Sequence, residues 1–249
     1  MSKIEVPSFL KEFEREFSSF TYRWDYSEVF TDLMDLGIAF FKPFGDKELG
    51  DRLKKKYGKE YTQLCVCFNQ LIKSYQAGLK HREWTDPLGI FYESIASRSK
   101  SSRFGQFFTP MDLCDMLAMI TIPAETRNKR ISDPCSGSGR LLLASNSAAP
   151  NNYYYAADLD PICAKMTAIN MCMHGLIGQV ICANSLWLKG SWRFGFEVNA
   201  TLMVNGFPSI LVLSQEDCIQ SKIFESMAKE NQDKKQEIKV EKLGQLSLF

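Results

Sequence analysis

Apolar residues recur three and four positions apart through the first hundred residues of the chain. Two sets of positions show this spacing: Leu10, Phe13 and Phe17, and then Val29, Leu33, Leu36 and Phe40. An α-helix has 3.6 residues per turn, so this spacing places apolar side chains on one helix face. The pattern predicts a mainly helical segment from about Ser8 to Ala96, broken at Lys42–Asp46. We assign residues 1–100 to a helical N-terminal domain.

The pattern changes after the polar, basic stretch 97–103. Short β-like runs then alternate with longer segments that suit helices. The runs are Lys129–Asp133, Tyr153–Asp158, Gln179–Ala183 and Ala200–Asn205. This alternation predicts βαβ units and a parallel sheet, and therefore an α/β core over residues 101–215.

The last part of the chain, residues 216–249, has a different composition. From Glu216 to Lys242 it is rich in lysine, glutamate and glutamine and has almost no aromatic residues. Such composition predicts an exposed helix that frays into a disordered tail.

Charge limits which partners the whole surface can attract. The 249 residues carry a formal net charge of +1, so any surface for a polyanion must be a local patch. One basic cluster follows the break at residues 42–46, and it is either a solvated helix face or a contact to a DNA backbone. Its members are Arg52, Lys54, Lys55, Lys56 and Lys59. With no signal sequence and no run of ~20 apolar residues, we predict a cytoplasmic protein without a membrane span.

The cysteines and histidines do not form a metal-binding pattern. Of eight cysteines only Cys65 and Cys67 are close in sequence, with one residue between them. The two histidines, His81 and His174, lie far apart. We therefore predict reduced thiols and no metal site.

A glycine-containing turn is the strongest local signal for ligand binding. The β-like run ending at Asp133 is followed by Pro-Cys-Ser-Gly-Ser-Gly, which ends at Gly139, and then by an apolar helix. Glycines let the backbone approach a ligand, and open α/β sheets bind ligands at the carboxyl ends of their strands. The turn lacks the Gly-Lys-Ser/Thr of a P-loop and the full Gly-x-Gly-x-x-Gly dinucleotide motif.

A second acid, Asp158, ends the next β-like run, nineteen residues after Gly139. A carboxylate at this place can accept hydrogen bonds from both ribose hydroxyls of a nucleoside. In the alternative interpretation, Asp158 and Asp160 only cap the helix that begins near Pro161.

Three motifs in this order and spacing resemble the N6-adenine DNA methylases. They are Gly105–Pro110 (Gly-Gln-Phe-Phe-Thr-Pro), Asp133–Gly139 (Asp-Pro-Cys-Ser-Gly-Ser-Gly) and Ala157–Pro161 (Ala-Asp-Leu-Asp-Pro). The chain looks most like the modification subunit of type I restriction systems over about Thr85 to Asn205. There, the stretch Asp86–Glu93 resembles the join between a helical domain and the catalytic domain. The resemblance implies a truncated, Rossmann-like core of a methyltransferase that uses S-adenosylmethionine, with a helical N-terminal domain.

The resemblance also implies a set of cofactor-binding residues. One group lies around the methionine end of the cofactor: Phe107, Phe108, Thr109 and Pro110. A second group lies along that moiety and the turn beside it: Asp133, Ser136, Gly137 and Gly139. Asp158 would hold the ribose, and Asn184 stands where relatives have an acid that reads the adenine amino group. The Asn184 carbonyl can still accept that hydrogen bond.

Two expectations for Phe107–Asp112 come from the residues alone. One of Phe107 and Phe108 should pack in the core, since adjacent residues face different ways. Thr109 should cap a helix that has Pro110 at its first position and Asp112 at its third.

The resemblance places catalysis at Asn205 and Phe207. Relatives have Asn or Asp, then Pro-Pro and an aromatic residue, whereas this chain has Asn-Gly-Phe-Pro over residues 205–208. In this interpretation Asn205 orients the target amino group and Phe207 stacks on the flipped base. Alternatively, Asn205-Gly206 is only a turn that leads to the β-like run Ile210–Leu213.

These observations support three hypotheses for function. The first is a DNA adenine-N6 methyltransferase, with DNA and a specificity subunit as partners. The second is a catalytically silent, DNA-associated module that keeps the methyltransferase fold. The third is a methyltransferase that acts on another nucleic acid or on protein, because the fold alone does not fix the substrate.

The last five residues suggest one more partner. They resemble the pentapeptide by which bacterial replication and repair proteins dock on the DNA sliding clamp: Gln245, Leu246, Ser247, Leu248 and Phe249. In that mode Leu248 and Phe249 enter an apolar pocket and Gln245 binds at its edge. Alternatively, the apolar residues of this tail fold back onto the domain as a terminal strand or anchor.

Overall fold

The computed structural model describes residues 5–98, 107–186, 190–220 and 222. The helices are α1 (Lys11–Ser18), α2 (Tyr26–Phe41), α3 (Lys47–Tyr57), α4 (Tyr61–Gly78), α5 (Pro87–Arg98), α6 (Met111–Thr121), α7 (Arg140–Ala148), α8 (Pro161–Met173) and α9 (Leu202–Asn205). The strands are β1 (Arg130–Asp133), β2 (Tyr153–Asp158), β3 (Ile177–Cys182), β4 (Phe194–Val198) and β5 (Ile210–Leu213). The fold class is therefore α/β, as predicted.

The five strands form one sheet in the order β1-β2-β3-β4-β5. The first three strands are parallel, while β4 runs antiparallel to β3 and β5 antiparallel to β4. Helix α7 connects β1 to β2 and helix α8 connects β2 to β3, so the predicted βαβ units are present. The carboxyl ends of the three parallel strands consequently lie at one edge of the sheet.

Helix α8 lies between the sheet and the N-terminal helices. Its side chains are buried along almost the whole length, as expected for a helix packed on two sides. Helix α2 approaches it closely at Gly37, where an added Cβ would lie 2.7 Å from Ile169 Cδ1. One cluster of buried apolar side chains runs from Val6 in the N-terminal segment to Ile210 in β5. The helices predicted from the three-and-four spacing therefore share a core with the sheet.

The opposite face of the sheet carries a smaller apolar cluster, which contains Ala157, Ile181, Ala183, Leu213 and Cys218. Its strand residues alternate with those that face α8, as the two-residue period of a strand requires. The chain then turns, and Ile219 donates its backbone N–H to Gln179 Oε1 of β3 at 2.9 Å. This is where the described part of the C-terminal segment ends, so the predicted tail lies almost entirely outside it.

One predicted strand is wrong. The run Ala200–Asn205 was expected as a strand, but residues 202–205 form α9, and β4 lies earlier, at Phe194–Val198. Asn199 ends β4 with a positive φ of 56°. Its side-chain amide donates to the carbonyl oxygens of Cys172, at 3.2 Å, and Leu176, at 3.0 Å, which turns the chain away from the sheet. The alternation of Phe194, Phe196 and Val198 is the strand signal in this region.

The basic cluster lies on and just after α3, where acids of α2 balance part of its charge. Arg52 pairs with Asp35 at 3.0 Å, and Lys56 pairs with Glu28 at 2.6 Å. Lys56 also pairs with Asp32. These contacts favour the interpretation of a solvated helix face held against α2. Among the described residues, no helix combines the length and hydrophobicity that a membrane crossing requires.

Candidate functional site

A cavity of about 630 Å³ lies at the carboxyl ends of the three parallel strands. Each strand contributes a polar side chain at or just after its last residue: Asp133 from β1, Asp158 from β2 and Asn184 after β3. Parallel strands end at the same edge of a sheet, so three positions far apart in sequence meet in one place. This geometry makes the cavity the candidate site.

The glycine turn between β1 and α7 forms the floor of the cavity. Gly137 and Gly139 have φ values of 56° and 90°, in the left-handed region that favours glycine. Asp158 Oδ2 accepts a hydrogen bond from Gly137 N at 2.8 Å, and Asp158 Oδ1 accepts one from Asp160 N at 2.9 Å. Asp158 therefore fixes the turn in addition to facing the cavity.

Both interpretations of the second acidic motif describe part of what is found. Asp160 caps α8, because its side chain accepts from Ile162 N at 2.7 Å and Pro161 occupies the first turn. Asp158 instead lines the cavity, with half-buried oxygens that retain lone pairs for further donors. The cap and the candidate ligand contact thus belong to different residues.

Burial raises the pKa of both cavity carboxyls. For Asp133, desolvation is the main cause, and the nearby charge of Asp158 adds to it. For Asp158, desolvation again raises the pKa, opposed by hydrogen bonds from the backbone of Asp160 and Gly137. Two ionised carboxylates in one partly desolvated cavity favour a ligand that brings positive charge.

An aromatic wall, Phe107–Thr109, closes one side of the cavity. Phe107 is 61% exposed at its rim. Phe108 packs against the core, with its ring 5.5 Å from that of Tyr92 and 5.4 Å from the guanidinium carbon of Arg140. The expectation that one of the two phenylalanines belongs to the core is confirmed.

The predicted cap of the following helix is wrong by one residue. Helix α6 begins at Met111, so Pro110 stands at the N-cap, and no side chain caps the helix there. A proline at that position has no hydroxyl or carboxylate to offer the first turn, although Asp112 lies within that turn. The Thr109 side chain therefore does not cap α6 and lines the cavity instead.

A buried ionic group behind the aromatic wall was not expected from the sequence. Arg140, 5% exposed, donates its Nε–H to Asp86 Oδ2 at 2.6 Å and an Nη2–H to Glu93 Oε2 at 2.9 Å. It also donates an Nη1–H to the Thr109 carbonyl oxygen at 3.2 Å. Burial alone lowers the pKa of Arg140, but the two acids outweigh it and raise that pKa overall. The only sequence signal was an arginine at the start of an apolar helix.

Asp86 joins this ionic group to the glycine turn. Its carboxylate accepts from Ser138 Oγ at 2.6 Å, from Asn170 Nδ2 at 2.8 Å and from Gly89 N at 2.8 Å. A fully buried carboxylate needs such donors to offset its desolvation. The turn, α5 and α8 are thereby tied together at one point.

Eight of the ten predicted cofactor-binding residues line the cavity. They are Phe107, Phe108, Thr109, Asp133, Ser136, Gly137, Asp158 and Asn184. Pro110 and Gly139 do not line it, although each adjoins a segment that does. Nine further lining residues are not among the predicted ones: Pro134, Cys135, Ser138, Arg140, Leu141, Leu159, Ala183, Ser185 and Leu186. The roles assigned by resemblance stay predictions.

Asn184 sits at the cavity with its side-chain carbonyl already engaged. Its Oδ1 accepts from Leu186 N at 3.0 Å, and its own N–H is donated to Ser191 Oγ, also at 3.0 Å. The carbonyl has a second lone pair, so it can accept one further donor.

The proposed catalytic pair is not brought to the cavity. Strand β4 starts beside the carboxyl end of β3 and ends beside its amino end, so the β4–β5 connection lies at the opposite edge of the sheet. Asn205 and Phe207 are exposed in that connection, where Asn205 Oδ1 accepts from Phe207 N at 3.0 Å. Gly206, with a φ of 73°, ends α9 before the chain enters β5. This is the geometry of the turn alternative.

Two further features from the sequence are the terminal peptide and the metal-binding side chains. The terminal peptide Gln245–Phe249 lies outside the described residues. Within the described part of the chain, no three His, Cys, Asp or Glu side chains are grouped to hold a metal ion.

Comparison with known proteins identifies the segment that builds the cavity. Residues 83–197 match the family model described as N-6 DNA Methylase. The chain is 32% identical over 105 residues to the type II methyltransferase M.XamI of Xanthomonas campestris pv. amaranthicola, a match covering 41% of this chain and 18% of that protein. It is 29% identical over 113 residues to the type I restriction enzyme HindI methylase subunit of Haemophilus influenzae, covering 41% of this chain and 25% of that protein.

Over residues 83–197 the chain is therefore similar to the N-6 DNA methylase family. It spans about a fifth to a quarter of the length of these two relatives. A type I restriction-modification methyltransferase subunit from Streptococcus thermophilus has a TM-score of 0.36 at 16% identity, covering 68% of this chain and 56% of that chain. The similarity to that family is a finding of the sequence comparisons alone.

Proposed function

We propose that this chain binds S-adenosylmethionine in the cavity at the carboxyl ends of β1, β2 and β3. The observation that carries the proposal is the meeting of two half-buried acids, a glycine turn and an aromatic wall in one cavity. When bound, S-adenosylmethionine supplies an activated methyl group on its sulfonium sulfur.

The chemistry of the cavity fits this cofactor. S-adenosylmethionine carries a sulfonium and an ammonium group, and Asp133 and Asp158 supply negative charge that such cations would offset. A ribose presents two neighbouring hydroxyl donors, and the Asp158 carboxylate can accept both. An adenine amino group is a donor that the Asn184 carbonyl can accept. Phe107 offers an exposed ring at the rim against which an apolar or aromatic part of the ligand can pack.

We further propose that the chain serves adenine-N6 methylation of DNA in a restriction-modification system. Support comes from the match of residues 83–197 to the N-6 DNA methylase family model. The names of the two relatives, a type II methyltransferase and a type I methylase subunit, add to it. On this proposal S-adenosylmethionine, held by Asp133, Asp158 and Asn184, would supply the methyl group that replaces one hydrogen of the adenine amino group, and that hydrogen would leave as a proton to solvent. DNA is the substrate, and a specificity subunit is the expected partner, as in type I systems.

A second candidate function is a catalytically silent module that binds cofactor and associates with DNA. The specific observation in its favour is the location of Asn205 and Phe207 at the sheet edge opposite the cavity. In that arrangement neither side chain can hold a flipped base beside the cofactor. Docking of the terminal peptide Gln245–Phe249 on a sliding clamp belongs to this candidate, because it would supply proximity to DNA.

Cofactor binding is tested first, by isothermal titration with S-adenosylmethionine and with S-adenosylhomocysteine. Saturable binding of both is expected. No detectable binding at millimolar ligand would contradict the proposal for either candidate function.

Methyl transfer then separates the two candidates. Mass spectrometry would measure N6-methyladenine in DNA from cells with and without the gene, and the gene would be restored as wild type, Asn205→Ala or Asp158→Ala. Methylation that Asn205→Ala abolishes supports the enzyme with Asn205 in the active site. Methylation that Asp158→Ala weakens and Asn205→Ala leaves intact would place the base-binding group elsewhere. No methylation, despite cofactor binding, supports the silent module.

A further inference from the structure

The aromatic wall is held by its backbone and not only by its rings. The Phe108 N–H donates to Glu93 Oε1 at 2.8 Å, and the Thr109 carbonyl accepts from Arg140 Nη1 at 3.2 Å. Residues 107–110 lie outside the helices and strands, and the first turn of α6 bonds only the Pro110 carbonyl, through Cys114 N at 3.0 Å. The Thr109 carbonyl has one weaker donor besides Arg140, the Cys114 thiol, with Sγ at 3.7 Å. The Arg140–Glu93 ion pair therefore bonds the backbone N–H of Phe108 and the backbone carbonyl of Thr109.

The two acids that receive Arg140 lie on one face of α5. Asp86 precedes its first residue and Glu93 lies seven residues later, about two helical turns along. Arg140 Nε bonds Asp86 and Arg140 Nη2 bonds Glu93, so the planar guanidinium spans the two helical turns between these acids. Because Arg140 is the first residue of α7, directly after the glycine turn, the same guanidinium links that turn to the wall.

Packing alone does not require charges here. A buried ion pair loses much of its Coulomb energy to desolvation, and apolar side chains of similar volume often stabilise a core as well. Apolar side chains could not bond the backbone groups of Phe108 and Thr109. Arg140 and Glu93 thus make backbone hydrogen bonds that hydrophobic side chains could not replace. The two residues that they bond, Phe108 and Thr109, line the cavity.

We propose that Arg140 and Glu93 are positioning residues for ligand binding, which act by fixing the backbone of Phe108 and Thr109 as a preformed wall. The inference rests on the proposed function, since it predicts that the cofactor binds more weakly when the wall is less ordered. A loosened wall must be ordered again as the ligand binds, and that ordering reduces the affinity.

The test uses the full chain with Glu93→Gln and Arg140→Lys. Gln keeps the size of Glu93 but not its charge, and Lys keeps the charge of Arg140 but not its fork. The matched control is Asp32→Asn, since Asp32 is a buried carboxylate, 3% exposed, that joins α2 to α3 and accepts from Tyr57 OH at 2.9 Å. It does not line the cavity.

Two measurements are made well below each variant's unfolding temperature. Hydrogen exchange resolved to the Phe108 amide is expected to be at least about tenfold faster in Glu93→Gln and Arg140→Lys than in the wild type. Titration with S-adenosylhomocysteine is expected to show roughly tenfold weaker binding in both variants. The control should lower the unfolding temperature while leaving the Phe108 exchange rate and the affinity unchanged.

The outcomes distinguish this inference from the proposed function. If the wild type binds and both variants bind equally well, the inference is wrong and the proposed function stands. If Asp32→Asn weakens binding as much as the two variants do, the effect is general destabilisation and the inference is wrong. If the wild type itself fails to bind S-adenosylhomocysteine, the proposed function is wrong and the inference falls with it.

Discussion

Substitution of Gly137 by alanine should damage both the fold and the cavity. Gly137 has a φ of 56°, and a Cβ built on it would lie 2.8 Å from Phe108 Cδ1. An L-residue in the left-handed region costs about 1–2 kcal/mol. Ordinary van der Waals contact begins at 3.4 Å, so the ring must retreat by about 0.6 Å, the difference of the two distances. Overpacking of this kind typically costs a further ~1–3 kcal/mol.

The total loss expected in the free energy of unfolding is thus roughly 2–5 kcal/mol, the sum of those two ranges. Urea unfolding of Gly137→Ala measures it. Gly45→Ala serves as the control, because Gly45 has a φ of 70° and a Cβ there would meet nothing within 4 Å. The control should lose only the conformational part.

Titration with S-adenosylhomocysteine completes the comparison. Because the displaced ring of Phe108 belongs to the cavity wall, Gly137→Ala should bind more weakly than the wild type, whereas Gly45→Ala should bind equally well. Equal losses of stability in the two variants, with full affinity retained in Gly137→Ala, would refute the contact between this turn and the wall.

Five other outcomes are expected. Asp158→Ala should weaken S-adenosylhomocysteine binding about ten- to a hundredfold by titration, since one charge-assisted hydrogen bond contributes roughly 1.5–3 kcal/mol; unchanged affinity would rule out the ribose contact. Because the pKa values of Asp133 and Asp158 are raised, titrations across the acidic range should show affinity for S-adenosylmethionine falling as pH drops through those values. In the ligand-free chain, Asp133 and Asp158 have a higher pKa when folded than when unfolded, so their protonation stabilises the folded state at low pH. Urea unfolding should show this contribution to the free energy of unfolding being lost as pH rises through the folded-state pKa. Asn205→Ala should leave cofactor affinity unchanged, and a loss would show that the β4–β5 connection reaches the cavity. A Lys242–Phe249 peptide should bind the host's sliding clamp in fluorescence polarisation, and its Leu248→Ala plus Phe249→Ala variant should not. Equal, negligible binding by both peptides would exclude docking.

The sequence was most informative where a local pattern and a motif coincide. Strand β2 was predicted with its observed bounds, Tyr153–Asp158, because a β-like run ends in an acid just before a Pro-initiated helix. The glycine turn was equally clear, since positive φ values leave few alternatives to glycine. Eight of the residues that line the cavity could therefore be named in advance.

The missed features depend on contacts between distant residues. Arg140 meets Glu93 across 47 positions and Asp86 across 54. The spacing of apolar residues along the chain does not reveal such a long-range contact. An arginine in an apolar run gives no indication of its partners. Strand β4 was displaced for a similar reason, because Asn199 ends it by bonding backbone carbonyls that only the folded chain brings close.

The continuous apolar core has a consequence for how the chain unfolds. The N-terminal helices bury their side chains against α8, and α8 buries its own against the sheet, so neither layer keeps a complete interior without the other. We expect a single cooperative transition, the same by fluorescence as by circular dichroism. A fragment ending at residue 98 would expose the face of α2 that carries Gly37 and normally meets Ile169, and it would tend to aggregate. Any redesign that transplants the cavity to another protein must therefore carry the helical layer with it.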